Sequence, residues 1–299
     1  MSKSLLIIDS HAVLHRAFHA LPPLTNKKQE PVGAVFGFFS VLLSTLKEVK
    51  PEKLALCFDS PTPTFRHQKY IAYQAKRPKT EDRLVSQINK TWKIAKAAKI
   101  ATFKKSGFEA DDLAATLAKK SKLKKVYILT GDKDLMQLVN KKVNLLLMQR
   151  QMSKFLQVKS KQVKKILGVA PNQVVDYKGL AGDSSDNYPG VPGIGPKTTL
   201  NLLNQYPSFK KIYQNLNKLP EGLKKKLEKG QEAGELSLKL AQIINKVPLK
   251  IKSQQLAWKN DKIKELKEIL AKEGFKSLVR RIEKSLGLEE KINYQQKLL

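Results

Sequence analysis

Acidic side chains are scarce in this chain, 26 Asp and Glu against 57 Lys and Arg, yet nine of them gather in five short stretches. Three stretches close apolar runs: Leu5-Leu6-Ile7-Ile8-Asp9, Leu54-Ala55-Leu56-Cys57-Phe58-Asp59, and Val126-Tyr127-Ile128-Leu129-Thr130-Gly131-Asp132-Lys133-Asp134. The others are Gly107-Phe108-Glu109-Ala110-Asp111-Asp112 and Gly182-Asp183-Ser184-Ser185-Asp186-Asn187. Crowded carboxylates repel one another and resist ionising together unless cations lie between them. A donor set of oxygens alone suits hard divalent ions, Mg²⁺ or Mn²⁺. Two such ions roughly 4 Å apart support phosphoryl transfer to water, activating the attacking water and stabilising the leaving oxygen. Single members have plainer readings: acids in a first helical turn serve the helix dipole, and Asp183 to Asn187 suits an Asx-turn. Nine acids so clustered in a cationic chain exceed what capping or solvation needs. His11, His15 and His19, at i, i+4 and i+8, mimic a zinc-binding face. Without a neighbouring thiolate they read instead as polar groups on the first helix.

The elements that must position these acids follow from the apolar pattern. The three aspartate-ended runs read as strands buried on both faces, with helical periodicity between them, so a parallel sheet with helical crossovers is expected. In such sheets ligands bind outside the carboxyl ends of the strands, where these aspartates fall. Gly33 to Val49 predicts a buried helix closed by Lys50-Pro51. Phe65 to Ile94 holds few aliphatics, many cations and interleaved aromatics (Phe65, Tyr70, Tyr73, Trp92), which predicts a basic excursion from the sheet, with Thr80 capping a helix that begins Glu81-Asp82. From about Gln151 only helical periodicity continues. Pro189 to Leu200 reads as a hairpin between two helices, where Gly193 and Gly195 permit positive φ or close backbone approach. Pro196 suits a first helical position, and the amides there with Lys197 form an anion site for a DNA phosphate.

The bulk numbers agree. A chain of 299 residues predicts two domains or one with a large extension, the expected division being 1–170 and 171–299, and 41% hydrophobic with 28% charged residues is a globular composition. No apolar run approaches the roughly 20 residues of a membrane span. The N-terminus enters a strand without a signal peptide and Cys57 is alone, so a cytoplasmic protein without disulfides is expected. The net charge of +31 implies a polyanionic partner and salt-sensitive association. Lysine excess from genome composition is the plainer reading for any single run, such as residues 119–125. Lysine suits backbone rather than base contact.

The ordered set resembles the 5′ nuclease domain of bacterial DNA polymerase I, within the flap endonuclease family. The anchors are Leu5 to Asp9, Arg16 to Leu21, Ala34 to Phe38, Phe58-Asp59, Phe65 to His67, Gly107 to Asp112, Thr130 to Asp134, Asp176 to Asn187, and the hairpin Pro189 to Thr198. The resemblance implies an α/β fold: a PIN-like parallel sheet flanked by helices, a helical arch at about 70–90, and a C-terminal helix-hairpin-helix helical subdomain. It implies one metal at Asp9, Asp59, Glu109, Asp111 and Asp112, and a second at Asp132, Asp134, Asp183 and Asp186. It points to Arg77, Lys76, Gln74, Tyr73 and Arg16 as catalytic residues. Gly190, Gly193, Ile194, Gly195, Lys197, Thr198 and Arg66 are its DNA contacts, with a K⁺ ion on the hairpin carbonyls. Two positions depart from the family: Gln74 replaces an arch lysine that touches the scissile phosphate, and Ser10-His11 replaces Gly-Asn. The expectation is a stand-alone, monomeric, two-Mg²⁺ (or Mn²⁺) 5′-3′ exonuclease and flap endonuclease, associated with the nucleoid. Its substrates would be duplex DNA with a 5′ flap or nick and RNA-primer/DNA junctions, with a separate DNA polymerase as partner. The rival readings are a weakened or inactive, sequence-independent DNA-binding protein marked by Gln74, and a PIN-like ribonuclease, which the hairpin disfavours.

Overall fold

The computed structural model describes residues 3–149, 151 and 154–286. In chain order the elements of the first part are β1 (Ser4–Asp9), α1 (Ser10–Ala20), α2 (Gly33–Val49), β2 (Lys53–Cys57), α3 (Phe65–Lys69), α4 (Asp82–Ala97), β3 (Thr102–Phe103), α5 (Ala110–Lys120), β4 (Lys125–Thr130), β5 (Val143–Met148) and β6 (Phe155–Val158). Then follow α6 (Ser160–Leu167), α7 (Val174–Ala181), α8 (Pro196–Gln205), α9 (Phe209–Tyr213), α10 (Glu221–Lys229), α11 (Gln231–Ala241), α12 (Asn260–Lys272) and α13 (Lys276–Ser285).

The six strands lie in the order β3-β2-β1-β4-β5-β6, with β1 to β5 parallel. The chain winds outward from β1 in one direction and from β4 in the other. The crevice between their carboxyl ends is therefore the topological switch point. Every residue of β1 is buried because both faces are covered. Leu5 and Ile7 face a core with α5 and the hairpin region, including Leu180, Val191 and Ile194. Leu6 and Ile8 face a second core with α1, α2 and α4. Period-2 alternation sends neighbours to opposite layers, which is why the strand is apolar throughout.

Helix α2 spans Gly33–Val49 and stops where Lys50 turns to φ 46 ahead of Pro51, as expected. Three expectations change. Residues 155–158, expected in a region without strands, form β6, antiparallel to β5. Leu156 and Gln157 are exposed, so its composition carries little strand signal and edge pairing makes it a strand. Helix α4 is part of the core and no excursion from it: Leu84, Ile88, Ile94 and Ala95 are buried, and Trp92 meets Phe58 edge to face at 5.0 Å. A narrow stripe suffices for a one-sided helix, and long lysine stems disguised it. Its N-cap is Glu81, not Thr80. The helical arch expected at about 70–90 is therefore not one continuous helix: residues 70–80 form a strap, mostly turns, and 82–90 belong to α4. The C-terminal helices also do not stay with the hairpin. Leu266, Leu270, Leu278 and Ile282 of α12 and α13 return to the second core on the far face of the sheet.

Candidate active site

At the crevice Asp9 ends β1 and caps α1. It accepts the Ala12 N–H at 3.1 Å and the Thr130 hydroxyl at 2.8 Å, and is 4% exposed. Thr130 also accepts the Asp132 N–H at 2.9 Å, and Asp132 accepts the Asp134 N–H at 2.8 Å. One threonine thus ties the acids of β1 to those after β4. Beyond β2, the Asp59 carboxylate accepts the Ala110 N–H at 2.6 Å, while its own N–H donates to His11 Nδ1 at 3.0 Å. That bond needs a lone pair on Nδ1, and burial lowers the His11 pKa against the pull of Asp59, favouring the ring form that has one. Glu109, the N-cap of α5, accepts the Thr64 hydroxyl at 3.0 Å.

These carboxyls stand in one another's field. Burial, aided by the Asp59 charge, pushes Asp9 up to about 6. Burial pushes Glu109 up to about 7 against the pull of Arg66, and pushes Asp134 up to about 7 with Asp132 adding to it. Asp111 and Asp132 are raised by burial too, each also feeling Asp9. Ionising such groups in the folded protein costs folding free energy. Their contribution is intact below the ordinary carboxylate range and is lost as pH rises through about 6 to 7. Metal-free protein should therefore melt about 3–6 °C lower at pH 8 than at pH 5.5. Added Mg²⁺ should raise the melting temperature more at pH 8. Scanning calorimetry with EDTA or Mg²⁺ at both pH values checks it.

A second group lies beside the first. Asp134, Asp183 and Asp186 each offer an oxygen, and these atoms lie within 4.8 Å of one another. Three carboxylates around one such point are a donor set that fits a hard divalent ion. Lys178, from the last turn of α7, donates to both Asp134 and Asp183. Its charge and the Ser185 bonds hold Asp183 below its usual range despite burial. Asp186 accepts Arg77 at 2.6 Å, and Gln74 Nε2 and the Tyr73 hydroxyl at 3.2 Å. Three of the arch candidates, Arg77, Gln74 and Tyr73, are thus docked on one carboxylate. The Asx-turn is present as well, with the Ser185 N–H donating to Asp183 at 2.8 Å. Turn and ligand readings are compatible because each oxygen has two lone pairs.

Some candidates are placed elsewhere. Asp112 is fully buried, and its oxygens are taken by both Arg66 guanidinium nitrogens at 2.9 Å and by the Ile244 N–H at 2.8 Å. It faces a guanidinium, not the crevice. Arg66, expected at DNA, is 2% exposed and also pairs with Glu109 at 3.2 Å. Ile194 is buried in the core, so the hairpin offers its backbone there and not that side chain. Tyr73 is buried with its hydroxyl toward Glu109 and Asp186, whereas Lys76 is exposed. Arg16 donates to the Gln149 carbonyl at the end of β5. Sequence reasoning missed Thr130 and Lys178. Both lie within quoted motifs, but nothing local reveals that a hydroxyl or an ammonium turns toward distant carboxylates.

The hairpin links α7 to α8. Gly190 takes φ +65, and a Cβ there would lie 2.3 Å from Gly182 N, so only glycine fits. Gly193 also has positive φ, and the Lys226 ammonium lies 3.8 Å from where its Cβ would be. Gly195 caps α8 at φ −89 with open space around it, so it leaves the helix N-terminus bare to an approaching anion. Lys197 is exposed and Thr198 half-buried beside it.

The 5′-3′ exonuclease N-terminal resolvase-like domain matches residues 4–168, and the 5′-3′ exonuclease C-terminal SAM fold matches 169–264. The 5′-3′ exonuclease of Aquifex aeolicus is 37% identical over 94% of this chain and 96% of its own length. DNA polymerase I of Caldicellulosiruptor bescii is 38% identical over 97% of this chain, which spans only 34% of that protein. Among solved structures, the bacteriophage T5 5′-exonuclease with zinc bound matches at TM-score 0.67 and 20% identity, covering 96% of this chain and 99% of its own. The T5 flap endonuclease with DNA and metal ions matches at TM-score 0.68 and 20% identity, covering 96% and 100%. These two show that the sheet and its helical extension are the fold of such nucleases. With both halves matched in order and a relative aligned along nearly its whole length, this chain belongs to the 5′-3′ exonuclease family.

Proposed function

We propose that the protein is a divalent-metal-dependent 5′-3′ exonuclease and flap endonuclease that hydrolyses phosphodiesters at 5′ ends of duplex DNA. The observation that carries this reading is the pair of oxygen-only carboxylate groups at the switch point of the sheet. Asp9, Asp59, Glu109 and Asp111 would hold one Mg²⁺ or Mn²⁺, and Asp134, Asp183 and Asp186 the other, with Asp132 between them. When bound, such ions supply Lewis-acid stabilisation of the attacking and leaving oxygens. The chain's own groups do the rest. Thr130, Thr64 and the amides of Ala12 and Ala110 orient the carboxylates. Arg77 and Lys76 steer the phosphate, Gln74 offers it a neutral hydrogen bond, and Tyr73 and Arg16 set the geometry around them. The amides at Gly193 and Gly195, with Lys197 and Thr198, grip the duplex backbone, and the hairpin carbonyls suit a K⁺ ion. Flaps, nicks and RNA-primer junctions in replication and repair are the corresponding substrates, and a separate polymerase would fill the gap. No helix among the described residues is long and apolar enough to cross a membrane.

The test is a 5′-labelled flap duplex with Mg²⁺, run beside EDTA and an Asp132→Ala control. Metal-dependent release of the flap is expected, and tight binding without cleavage would overturn the reading in favour of a DNA-binding protein. Grip through phosphates makes a second prediction. Lys197→Ala should weaken binding equally for unrelated duplex sequences and lower the log–log salt slope by about one. Fluorescence anisotropy across a salt series measures it.

A further inference from the structure

Each of the three second-group acids faces a cationic side chain, and one of these cations is shared. The Lys178 ammonium donates to Asp134 and to Asp183, and its side chain is 13% exposed. The oxygens it joins belong to the acids whose ligand atoms lie within 4.8 Å of one another. Its ammonium therefore competes with a divalent ion for the same carboxylates. Lysine suits the part, being a compact charge on a flexible four-carbon stem. It can withdraw while α7, tied to the hairpin by the Val191 N–H to Leu180 carbonyl bond of 2.8 Å, stays in place. Asp186 differs, since Arg77 reaches it from the strap at 2.6 Å.

We propose that Lys178 is the resident counter-cation of the second carboxylate group: it holds Asp134 and Asp183 together in the metal-free protein and is displaced when an ion binds. It thereby sets the ion concentration at which that group loads. This inference rests on the two-ion reading above. Lys178→Met keeps the stem and removes the charge. Titration calorimetry with Mn²⁺ on the full chain should show the weaker of two binding events tightened roughly tenfold or more, because no ammonium has to be expelled. The tighter event should be unchanged, and the metal-free variant should melt lower than wild type.

Reductive methylation of wild-type protein, read by mass spectrometry at Lys178, should be slow without metal and faster with Mn²⁺. That arm decides the matter even where the variant does not fold. Two ions bound by both proteins with an unchanged or weaker second event in Lys178→Met would overturn the inference, as would labelling indifferent to Mn²⁺. Wild-type protein that takes up fewer than two ions would instead bring down the two-ion reading, and this inference with it.

Discussion

Replacing Arg66 with Met is expected to destabilise the protein by about 3–5 kcal/mol, the range for removing one partner of a buried ion pair. Arg66 is 2% exposed and Asp112 fully buried, joined by two bonds of 2.9 Å. The guanidinium also donates to the Leu240 and Gln242 carbonyls at 3.0 Å, and Asp112 accepts the Ile244 N–H at 2.8 Å. Through one residue, α3, α5 and the segment after α11 are bolted together. Without it the buried Asp112 loses its counter-charge and keeps only the Ile244 and Glu109 amide donors, which do not offset a buried charge. Glu109, 3.2 Å from the same guanidinium, would also lose its counter-charge, so cleavage should fall with stability. The double variant Arg66→Met, Asp112→Leu should recover part of the loss, because an apolar pair leaves nothing unpaired. Urea denaturation of the three variants measures this. A loss under about 1 kcal/mol for the single variant would mean that water relaxes into the site.

Asp132→Asn should behave in the opposite way, abolishing activity and sparing the fold. Asparagine keeps an oxygen for the Asp134 N–H now accepted at 2.8 Å, so the turn survives. It removes a charge that adds to burial in raising Asp111 and Asp134, and that Asp9 and Asp186 repel in turn. Cleavage of a flap duplex should drop on the order of 10³-fold, the scale of losing a preorganised electrostatic group, with duplex binding retained. Metal-free protein at pH 8 should melt no lower than wild type, since a repulsion has been relieved, and the stabilisation by Mg²⁺ should shrink. Single-turnover kinetics and calorimetry give both readings. Loss of activity below tenfold would place the chemistry away from Asp132.

Much of this was legible along the chain. Leu5 to Asp9 announces a strand buried on both faces that ends in an acid, because four consecutive apolar residues offer neither face to water. Gly33 to Val49 declares its helix and its stop, because periodicity and Pro51 are local signals. Gly193, expected to permit a positive φ, adopts one of +79, because turn backbone is a local matter. Elements with weak local patterns were misread: β6 draws its pairing from β5, and α4 hides a narrow apolar stripe among lysine stems.

Residue type and order thus determined the chemistry on their own: oxygen donors in a cationic chain, at strand ends and beside a helix N-terminus. Such facts depend on composition and on local backbone preference, which the chain carries from residue to residue. Only the tertiary structure decided the direction in which each charged group faces. Asp111 and Asp112 are adjacent, yet about 100° of helical rotation turns one toward Asp9 and the other onto Arg66. Arg66 looked like a hand for DNA and is a bolt between elements. Lys178 looked like one lysine among many and sits between two carboxylates, one of them 44 residues away. Electrostatic partners are chosen by distance in space, and long-range contacts of that kind leave no periodic trace in the sequence.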